Sequence, residues 1–237
     1  MRDPYLRKDA DVLDNLLGIL DSNELRTAEA NLTKLSMVSA YQMRCVAFNE
    51  KALQMIHQRI FGSLYDWAGE YRTIQMIKPE EVLGGDTVRY AYPSEIKQQL
   101  KAAMKELQQL DRSKLGDREF VFRLVRIIAQ IWQIHPFREG NTRTVITFAV
   151  LFAQSTGFDV QKELFKEHAN YVRNSLVWAS QGMYSKYEYL ERIFFDAILH
   201  QSPDDVLKPE THDNDYSLIE GYKVKDYKEQ PHIYIKK

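Results

Sequence analysis

The chain has 237 residues, of which 44% are hydrophobic and 27% charged, and its formal net charge is −1. This length predicts one domain or little more, on the usual size of about 100–200 residues per domain. The near-neutral charge argues against a nucleic-acid-binding protein, because such domains carry a basic stripe. No segment reaches the ~20 uncharged apolar residues of a membrane span, and Met1 precedes Arg-Asp-Pro instead of a secretory signal. We therefore expect a cytoplasmic protein with no membrane or nucleic-acid partner.

Apolar residues recur at helical spacing along most of the chain, and this periodicity predicts a mostly α fold. Asn49 is a suitable N-cap for one helix, and Gly62 is well placed to end it. Two segments, 120–134 and 145–153, are apolar on every side and are predicted to be buried. The predicted helices cover residues 9–20, 24–48, 50–60, 94–110, 117–134, 145–153, 160–180 and 187–199.

The segment 78–93 (KPEEVLGGDTVRYAYP) is the one region whose pattern is clearly not helical. Val82-Leu83 and residues 88–92 flank the pair Gly84-Gly85, which predicts a small β-hairpin with a glycine turn. A single hairpin is marginally stable in water, so it must pack on the helices or on a partner. A simple connector between helices is the alternative.

The character of the chain changes after residue 200. Residues 202–237 are punctuated by proline, dense in charge and poor in aliphatic side chains, so they lack the means to form a core of their own. We therefore predict one domain over residues 1–200 and a docked or partly mobile tail over residues 201–237. A second small domain in the tail stays open as an alternative.

A polar stretch, residues 135–144 (HPFREGNTRT), separates the two most apolar segments. A turn between two buried helices normally contains few charged groups, because burying each one costs several kcal/mol unless it is paired or hydrated. This turn presents an imidazole, a carboxylate, an amide and two guanidinium groups. We interpret it as a functional site.

The order of residue types in this stretch indicates phosphate chemistry. Gly140, Asn141 and Thr142 precede a helix, whose first N–H groups are free to bind an anion, and Arg143 adds a bidentate phosphate partner. Glu139 would repel phosphate unless a divalent cation lay between them, which points to a Mg²⁺ ligand. His135, with an ordinary pKa near ~6.5, is suited to accept a proton from an attacking hydroxyl.

The stretch resembles the signature of the Fic family, His-x-Phe-x-Asp/Glu-Gly-Asn-Gly-Arg-x-x-Arg. Arg2-Asp-Pro-Tyr5 and Leu16-Leu-Gly-Ile19 resemble the start of Fic toxins of toxin–antitoxin pairs. Residues 56–61 (IHQRIF) and 64–73 (LYDWAGEYRT) resemble a second landmark of the family. The resemblance covers residues 2–200, and it implies a Fic-type helical bundle with one small β-hairpin.

The resemblance also implies an activity, the transfer of AMP from ATP to a hydroxyl side chain of a target protein. By matching position, His135 is the general base and Glu139 the Mg²⁺ ligand. Gly140 and Asn141 correspond to the anion hole, and Arg143 to a contact with the triphosphate. ATP and Mg²⁺ are the implied substrate and cofactor, and the implied partner is a protein with an exposed Ser, Thr or Tyr.

Two further surfaces follow from the resemblance. In the family the hairpin is a flap that clamps the target segment by strand addition. The flap residues carried over to this chain are Gly84, Gly85, Val88, Tyr90 and Ala91. The N-terminal helices face the antitoxin in related toxins, so they are either purely structural or a groove for such a partner.

The chain departs from the signature at two positions. Thr142 stands where the family has glycine, and Ile146 replaces the second arginine, which holds the γ-phosphate in the family. Two alternatives to AMP transfer therefore stay open: a Fic-fold enzyme that moves a different group, and a catalytically weak domain that acts by binding. Many relatives also carry Ser/Thr-x-x-x-Glu, whose glutamate pairs with the second arginine, but Thr27 is followed four positions on by Asn31. We expect no glutamate switch within the chain.

Overall fold

The computed structural model describes residues 2–44 and 47–200, so the prediction of a tail over residues 201–237 lies outside the described part. The described residues are mostly helical, which confirms the predicted class. Their helices are α1 (Ser22–Ala40), α2 (Glu50–Phe61), α3 (Ile96–Gln108), α4 (Arg112–Leu115), α5 (Asp117–Ile134), α6 (Asn141–Ser155), α7 (Lys162–Glu167), α8 (Ala169–Ala179) and α9 (Glu188–Leu199). Short 3₁₀ turns span Glu81–Leu83, Pro93–Glu95 and Gly182–Tyr184. No helix in the described ranges has the length and apolarity needed to cross a membrane.

Helices with strong local signals lie where the sequence predicts them. The side chain of Asn49 accepts a hydrogen bond from the Ala52 N–H at 3.1 Å, and Gly62 follows the last residue of α2. Helix α5 has the predicted bounds and packs against α3, α6, α8 and α9 at the centre of the fold. Helix α6 is buried along nearly its whole length, as its apolar sequence predicts.

The helix predicted over residues 9–20 is wrong, because this segment forms turns. The Asn15 side chain donates to the carbonyls of Leu13 and Ile19, both at 2.9 Å, and accepts from the Ile19 N–H at 3.0 Å. Such local bonds offer the backbone an alternative to a helix. Gly18, with a φ of 69°, completes the turn.

Other helices differ from their predicted extents, and α6, predicted over residues 145–153, spans Asn141–Ser155. Helix α1 begins after Asp21, whose carboxylate caps it, and ends at Ala40 instead of continuing to Phe48. Residues 160–180 form two helices, α7 and α8, because His168 between them has a non-helical backbone (φ −110°, ψ 37°).

The flap segment reverses direction where predicted, at Gly84 and Gly85, whose φ values are 66° and 95°. The two predicted strands are wrong, however, since the pairing consists of one isolated antiparallel bridge between Pro79 and Thr87. Residues Glu81–Leu83 form a 3₁₀ turn, and their backbone groups make turn bonds there. Those groups are consequently unavailable for a strand ladder.

The flap side chains are largely directed into the protein. Val88, Tyr90 and Ala91 are buried, whereas Arg89 and residues 84–86 are exposed. A buried carboxylate, Glu80, anchors the flap: it accepts from the Tyr90 hydroxyl at 3.3 Å and from Arg173 of α8 at 3.0 Å. The exposed part of the flap is therefore its turn.

Candidate active site

His135 lies at the junction of α5 and the polar loop 135–143. Its backbone is left-handed (φ 52°, ψ 59°), and its N–H donates to the Trp132 carbonyl at 3.0 Å. This conformation costs a residue with a side chain about 1–2 kcal/mol, so the surroundings must hold it. Arg72 supplies that support, because its Nε donates to the His135 carbonyl at 2.7 Å and its backbone N–H donates to the Pro136 carbonyl at 2.8 Å.

The His135 ring is buried, and neither of its nitrogens has a hydrogen-bonding partner among the described residues. It stacks on the Tyr90 ring with centroids 3.9 Å apart. Burial lowers the pKa of His135 well below its ordinary value, and the cations of Lys78, Arg72 and Arg173 lower this pKa further. The imidazole is therefore neutral at physiological pH, and one ring nitrogen has a lone pair available to accept a proton.

Glu139 is the carboxylate of the loop, and its side chain is 19% exposed. Its Oε1 accepts from the Gly140 N–H at 2.8 Å, and its Oε2 lies 3.6 Å from Nζ of Lys78. Burial raises the pKa of Glu139, but the charges of Lys78 and Arg143 outweigh that effect and hold the pKa at about 2. The group is ionised and already faces one cation.

The donor set around Glu139 suits a magnesium ion that relies on its substrate for further ligands. Among the described residues, no group of three or more His, Cys, Asp or Glu side chains could hold a metal. Mg²⁺ commonly takes one or two carboxylates and completes its shell with waters and phosphate oxygens. A single ionised and partly exposed carboxylate beside the predicted phosphate site would match this pattern.

Asn141 closes the loop on itself. Its Oδ1 accepts from the Phe137 N–H at 3.0 Å, and its Nδ2 donates to the Phe137 carbonyl at 2.8 Å. The buried side-chain amide thus holds the loop backbone. As the first residue of α6, Asn141 has a backbone N–H without a partner inside the helix, and N–H groups at a helix start suit an anion.

Position 140 requires a glycine for two reasons, its left-handed backbone and a closely packed aromatic ring. Its φ is 77°, and an added Cβ would lie 2.2 Å from ring atoms of Phe61 on α2. Thr142, which replaces a glycine of the signature, accepts a hydrogen bond from Nε1 of Trp132 at 2.9 Å. This bond joins the end of α5 to the start of α6.

Arg143 is already engaged by α1. Its Nη2 donates to Glu29 Oε1, its Nη1 donates to Thr33 Oγ1 at 2.8 Å, and its guanidinium carbon lies 4.7 Å from the Phe61 ring centroid. The other oxygen of Glu29 accepts from the Tyr65 hydroxyl at 2.5 Å. A phosphate that binds Arg143 must therefore compete with a carboxylate of the same chain.

The contact between Glu29 and Arg143 was not predicted from the sequence. The motif Ser/Thr-x-x-x-Glu is not completed on α1, because Asn31 stands four positions after Thr27. The paired carboxylate is Glu29, which points to Arg143 together with Thr33 one helical turn later. The spacing of Glu29 and Thr33 is the only sequence signal for this face. The absence of a Ser/Thr-x-x-x-Glu motif therefore does not mean that the arginines of the loop lack a carboxylate partner, because Glu29 pairs with Arg143.

His57 and Asp3 also support the loop. The Gly69 N–H donates to His57 Nδ1 at 2.8 Å, so the neutral ring carries its proton on Nε2, which donates to the Glu139 carbonyl at 3.0 Å. His57 therefore supports the loop through a hydrogen bond as well as by stacking on Phe137, with ring centroids 3.9 Å apart. Arg138 pairs with Asp3 at 2.8 Å, and both side chains are buried. This pair gives the N-terminal Arg-Asp-Pro-Tyr stretch a physical role.

Ile146, at the position of the second motif arginine, is only 4% exposed. It belongs to the buried part of α6, so this chain has an apolar contact where the signature has a cation. Among the motif residues, the structure brings together His135, Glu139 and the start of α6. It leaves Ile146 in the core.

Comparison with known proteins adds a sequence relationship. Residues 47–153 match the Fic/DOC family. The chain is 28% identical over 162 residues to the protein adenylyltransferase VbhT of Bartonella schoenbuchensis, covering 67% of this chain and 32% of that protein. It is 29% identical over 141 residues to a probable protein adenylyltransferase Fic of Salmonella typhimurium, covering 59% of this chain and 66% of that protein. The chain thus spans only part of these two relatives.

Solved structures share the fold. The BepC protein of Bartonella tribocorum, a crystal structure with bound AMPPNP, has a TM-score of 0.67 and 25% identity, covering 81% of this chain and 95% of that one. The ADP-bound N-terminal Fic domain of a putative cell filamentation protein from Bartonella quintana has a TM-score of 0.69 and 24% identity, covering 86% and 98%. The bundle described above is therefore a Fic fold. Residues 47–153, which match the Fic/DOC family, form part of this bundle.

Proposed function

We propose that this chain is a protein adenylyltransferase, which moves AMP from ATP to a hydroxyl side chain of a target protein. The observation that carries the proposal is the buried, neutral His135, whose ring nitrogens have no partner among the described residues, at one end of an anion-binding loop. The names of the relatives, protein adenylyltransferases, support the same activity. The AMPPNP and ADP bound in the two related structures support a nucleotide substrate.

In the proposed reaction, His135 accepts the proton of the target hydroxyl as its oxygen bonds to the α-phosphorus of ATP. The bond between the α-phosphorus and the bridging oxygen to the β-phosphorus breaks, and pyrophosphate leaves with the electron pair. The N–H groups at the start of α6 and the Arg143 guanidinium bind phosphate oxygens, which orients the nucleotide. A positioned base of this kind typically contributes ~10²–10⁴-fold to the rate.

Glu139 would hold Mg²⁺ in this proposal, and the ion when bound supplies positive charge beside the phosphates. Lys78 occupies the same side of the carboxylate, at 3.6 Å. If Glu139 is the ligand, a chelator should weaken ATP binding by the parent protein and have little further effect on Glu139→Ala. Equal dependence on Mg²⁺ in the parent and the variant would contradict the assignment.

The partners remain part of the proposal. The target would offer a Ser, Thr or Tyr hydroxyl and lie against the flap turn, residues 84–86, which is exposed. An antitoxin is proposed for the N-terminal helical region, where Leu35 and Val38 of α1 are 71% and 60% exposed. Both surfaces are accessible in the described part of the chain.

One observation favours a second candidate, transfer of a different group. Ile146 leaves the γ-phosphate without the arginine that holds it in the signature, so the orientation of ATP is less constrained. Incubation with Mg²⁺ and ATP labelled at the α- or the γ-phosphate separates the possibilities. Protein-bound α-label with release of pyrophosphate supports AMP transfer, and protein-bound γ-label supports phosphoryl transfer. If the chain binds nucleotide but transfers neither label to itself or to candidate targets, the result supports a domain that acts by binding.

A further inference from the structure

Arg72 is a buried cation without a carboxylate partner among the described residues. Its side chain is in the fully buried core, with 2% of the residue exposed, and no ion pair in the described ranges includes it. Burial lowers the pKa of Arg72 to about 10, which still leaves it charged at neutral pH. A buried charge is costly unless other groups replace its hydration. Backbone carbonyls replace it here.

The guanidinium bonds three separate segments of the chain. Its donors reach the carbonyls of Ile134 and His135 at 3.3 and 2.7 Å, of Ile74 at 2.6 Å and of Ala91 at 2.6 Å. Ile134 and His135 form the C-terminal end of α5, where carbonyls lack helical partners and the helix dipole favours a cation. Ala91 lies at the end of the flap. The planar guanidinium of Arg72 thus connects the 135–143 loop with the flap.

This arrangement determines where the base and the flap lie relative to each other. Arg72 holds the carbonyl of His135, a residue whose backbone is left-handed. The Tyr90 ring, next to Ala91 in sequence, stacks on the His135 imidazole with ring centroids 3.9 Å apart. We infer that Arg72 is a positioning residue, which holds the His135 backbone and the flap in one geometry without contacting substrate. The expected effect of Arg72 on catalysis rests on the proposed function, whereas its role in holding the loop and the flap does not.

The test compares Arg72→Lys and Arg72→Gln with the matched control Arg112→Lys. Arg112 also donates to a carbonyl at a helix end, Thr156 after α6, at 3.1 Å, but it makes no contact with the loop or the flap. Lysine keeps the charge and loses the fork of donors, so Arg72→Lys should retain part of the function and Arg72→Gln less. Each protein is measured for ATP affinity, single-turnover transfer at saturating ATP, melting temperature and hydrogen exchange.

For Arg72→Lys we expect ATP affinity within about twofold of the parent and a transfer rate lower by up to about a hundredfold, the cost of a small misplacement. Exchange should accelerate together in peptides 130–140 and 85–93, and it should stay unchanged there in the control. A variant with the parent's transfer rate and protection would overturn the inference. Equal acceleration over the whole chain would also overturn it, because it would mean general destabilisation.

The two proposals fail in different ways. If the parent transfers no AMP, the proposed function is lost, but joint loss of exchange protection in the loop and flap still supports Arg72 as their common support. If neither Arg72 variant folds, ¹⁵N-arginine spectra of the parent decide. A slowly exchanging Arg72 Nε–H with restricted guanidinium rotation supports the inference, and a rapidly exchanging, freely rotating group overturns it.

Discussion

Arg72 lies beside the 135–143 loop and Arg143 is its last residue, but the two charges are neutralised in different ways. Arg72 is bonded to backbone carbonyls of three segments, and none of these can turn away without moving the chain. Arg143 is bonded to the side chains of Glu29 and Thr33, and its own side chain is 30% exposed. Side chains can change rotamer at modest cost. One arginine is therefore a fixed part of the scaffold, and the other is able to exchange its partner for a phosphate.

The largest expected effect on the transfer rate is that of a substitution at His135. Its carbonyl accepts a hydrogen bond from Arg72, and its ring is the proposed general base. His135→Ala should keep the bond to Arg72 and the fold, while AMP transfer falls by ~10²–10⁴-fold. Single-turnover labelling with α-labelled ATP measures the loss, and calorimetric titration checks that ATP still binds. Labelling within tenfold of the parent would remove His135 from the role of base.

Arg143 should affect binding where Arg72 affects positioning. Arg143→Ala removes a charged donor to phosphate, so ATP affinity should fall by about 1.5–3 kcal/mol, or roughly tenfold to a hundredfold. Titration with ATP and with AMP distinguishes a contact to the outer phosphates, because AMP lacks them. An unchanged ratio of the two affinities would contradict the proposed contact.

Glu29 offers a gain of function that has no counterpart at Arg72. Glu29→Gln removes the carboxylate that competes for Arg143, and since the pair is partly exposed we expect ATP affinity to rise by no more than about tenfold. Glu24→Gln is the control, because Glu24 lies on the same helix at an exposed position. Equal affinities in the two variants would show that Glu29 does not compete with the nucleotide.

An effect of a different kind is expected on stability in mild acid, and it belongs to the histidines because both arginines keep their charge. Burial lowers the pKa of His57 to about 4 and that of His135 well below its ordinary value. The unfolded state therefore binds more protons once the pH falls below about 6.5, and stability decreases from there down to the folded pKa values. Each histidine should cost about 1.4 kcal/mol at pH 5.5.

Urea titrations between pH 7 and pH 5 measure this dependence. The low pKa of Glu139, about 2, acts in a different window, because its contribution is lost only as the pH falls below about 4.5. His57→Gln should remove that residue's contribution to the pH dependence, so the free energy of unfolding should change less steeply with pH. A free energy of unfolding that is constant from pH 7 to pH 5 would contradict the burial of both rings in neutral form.

Local sequence was sufficient where the signal was local. The bounds of α5 follow from its apolar run, and those of α2 from Asn49 and Gly62. The candidate site is also a local pattern, a polar loop between two buried helices, and its function stays a prediction. The helix predicted over residues 9–20 failed because the Asn15 side chain bonds the backbone on both sides. The spacing of apolar residues does not reveal that a side chain will compete with the helix for backbone hydrogen bonds.

The supports of the loop were missed for a different reason. Arg72 is 63 positions from His135 in sequence, and Glu29 is 114 positions from Arg143. Pairings over such distances depend on how the helices pack, which a single sequence does not encode in any short pattern. The strands of the flap failed for an intermediate reason, since the glycine turn was predictable but the 3₁₀ turn before it uses the backbone groups a ladder needs.

Trp132 gives the site a built-in optical reporter. Its indole donates to Thr142 at the start of α6, and its ring meets the His135 imidazole edge-on, with centroids 5.5 Å apart. The chain has three tryptophans, and the other two, Trp67 and Trp178, are at different places in the fold. Emission from Trp132 in a protein with the other two replaced by phenylalanine would therefore follow ligand arrival at the loop without any attached dye.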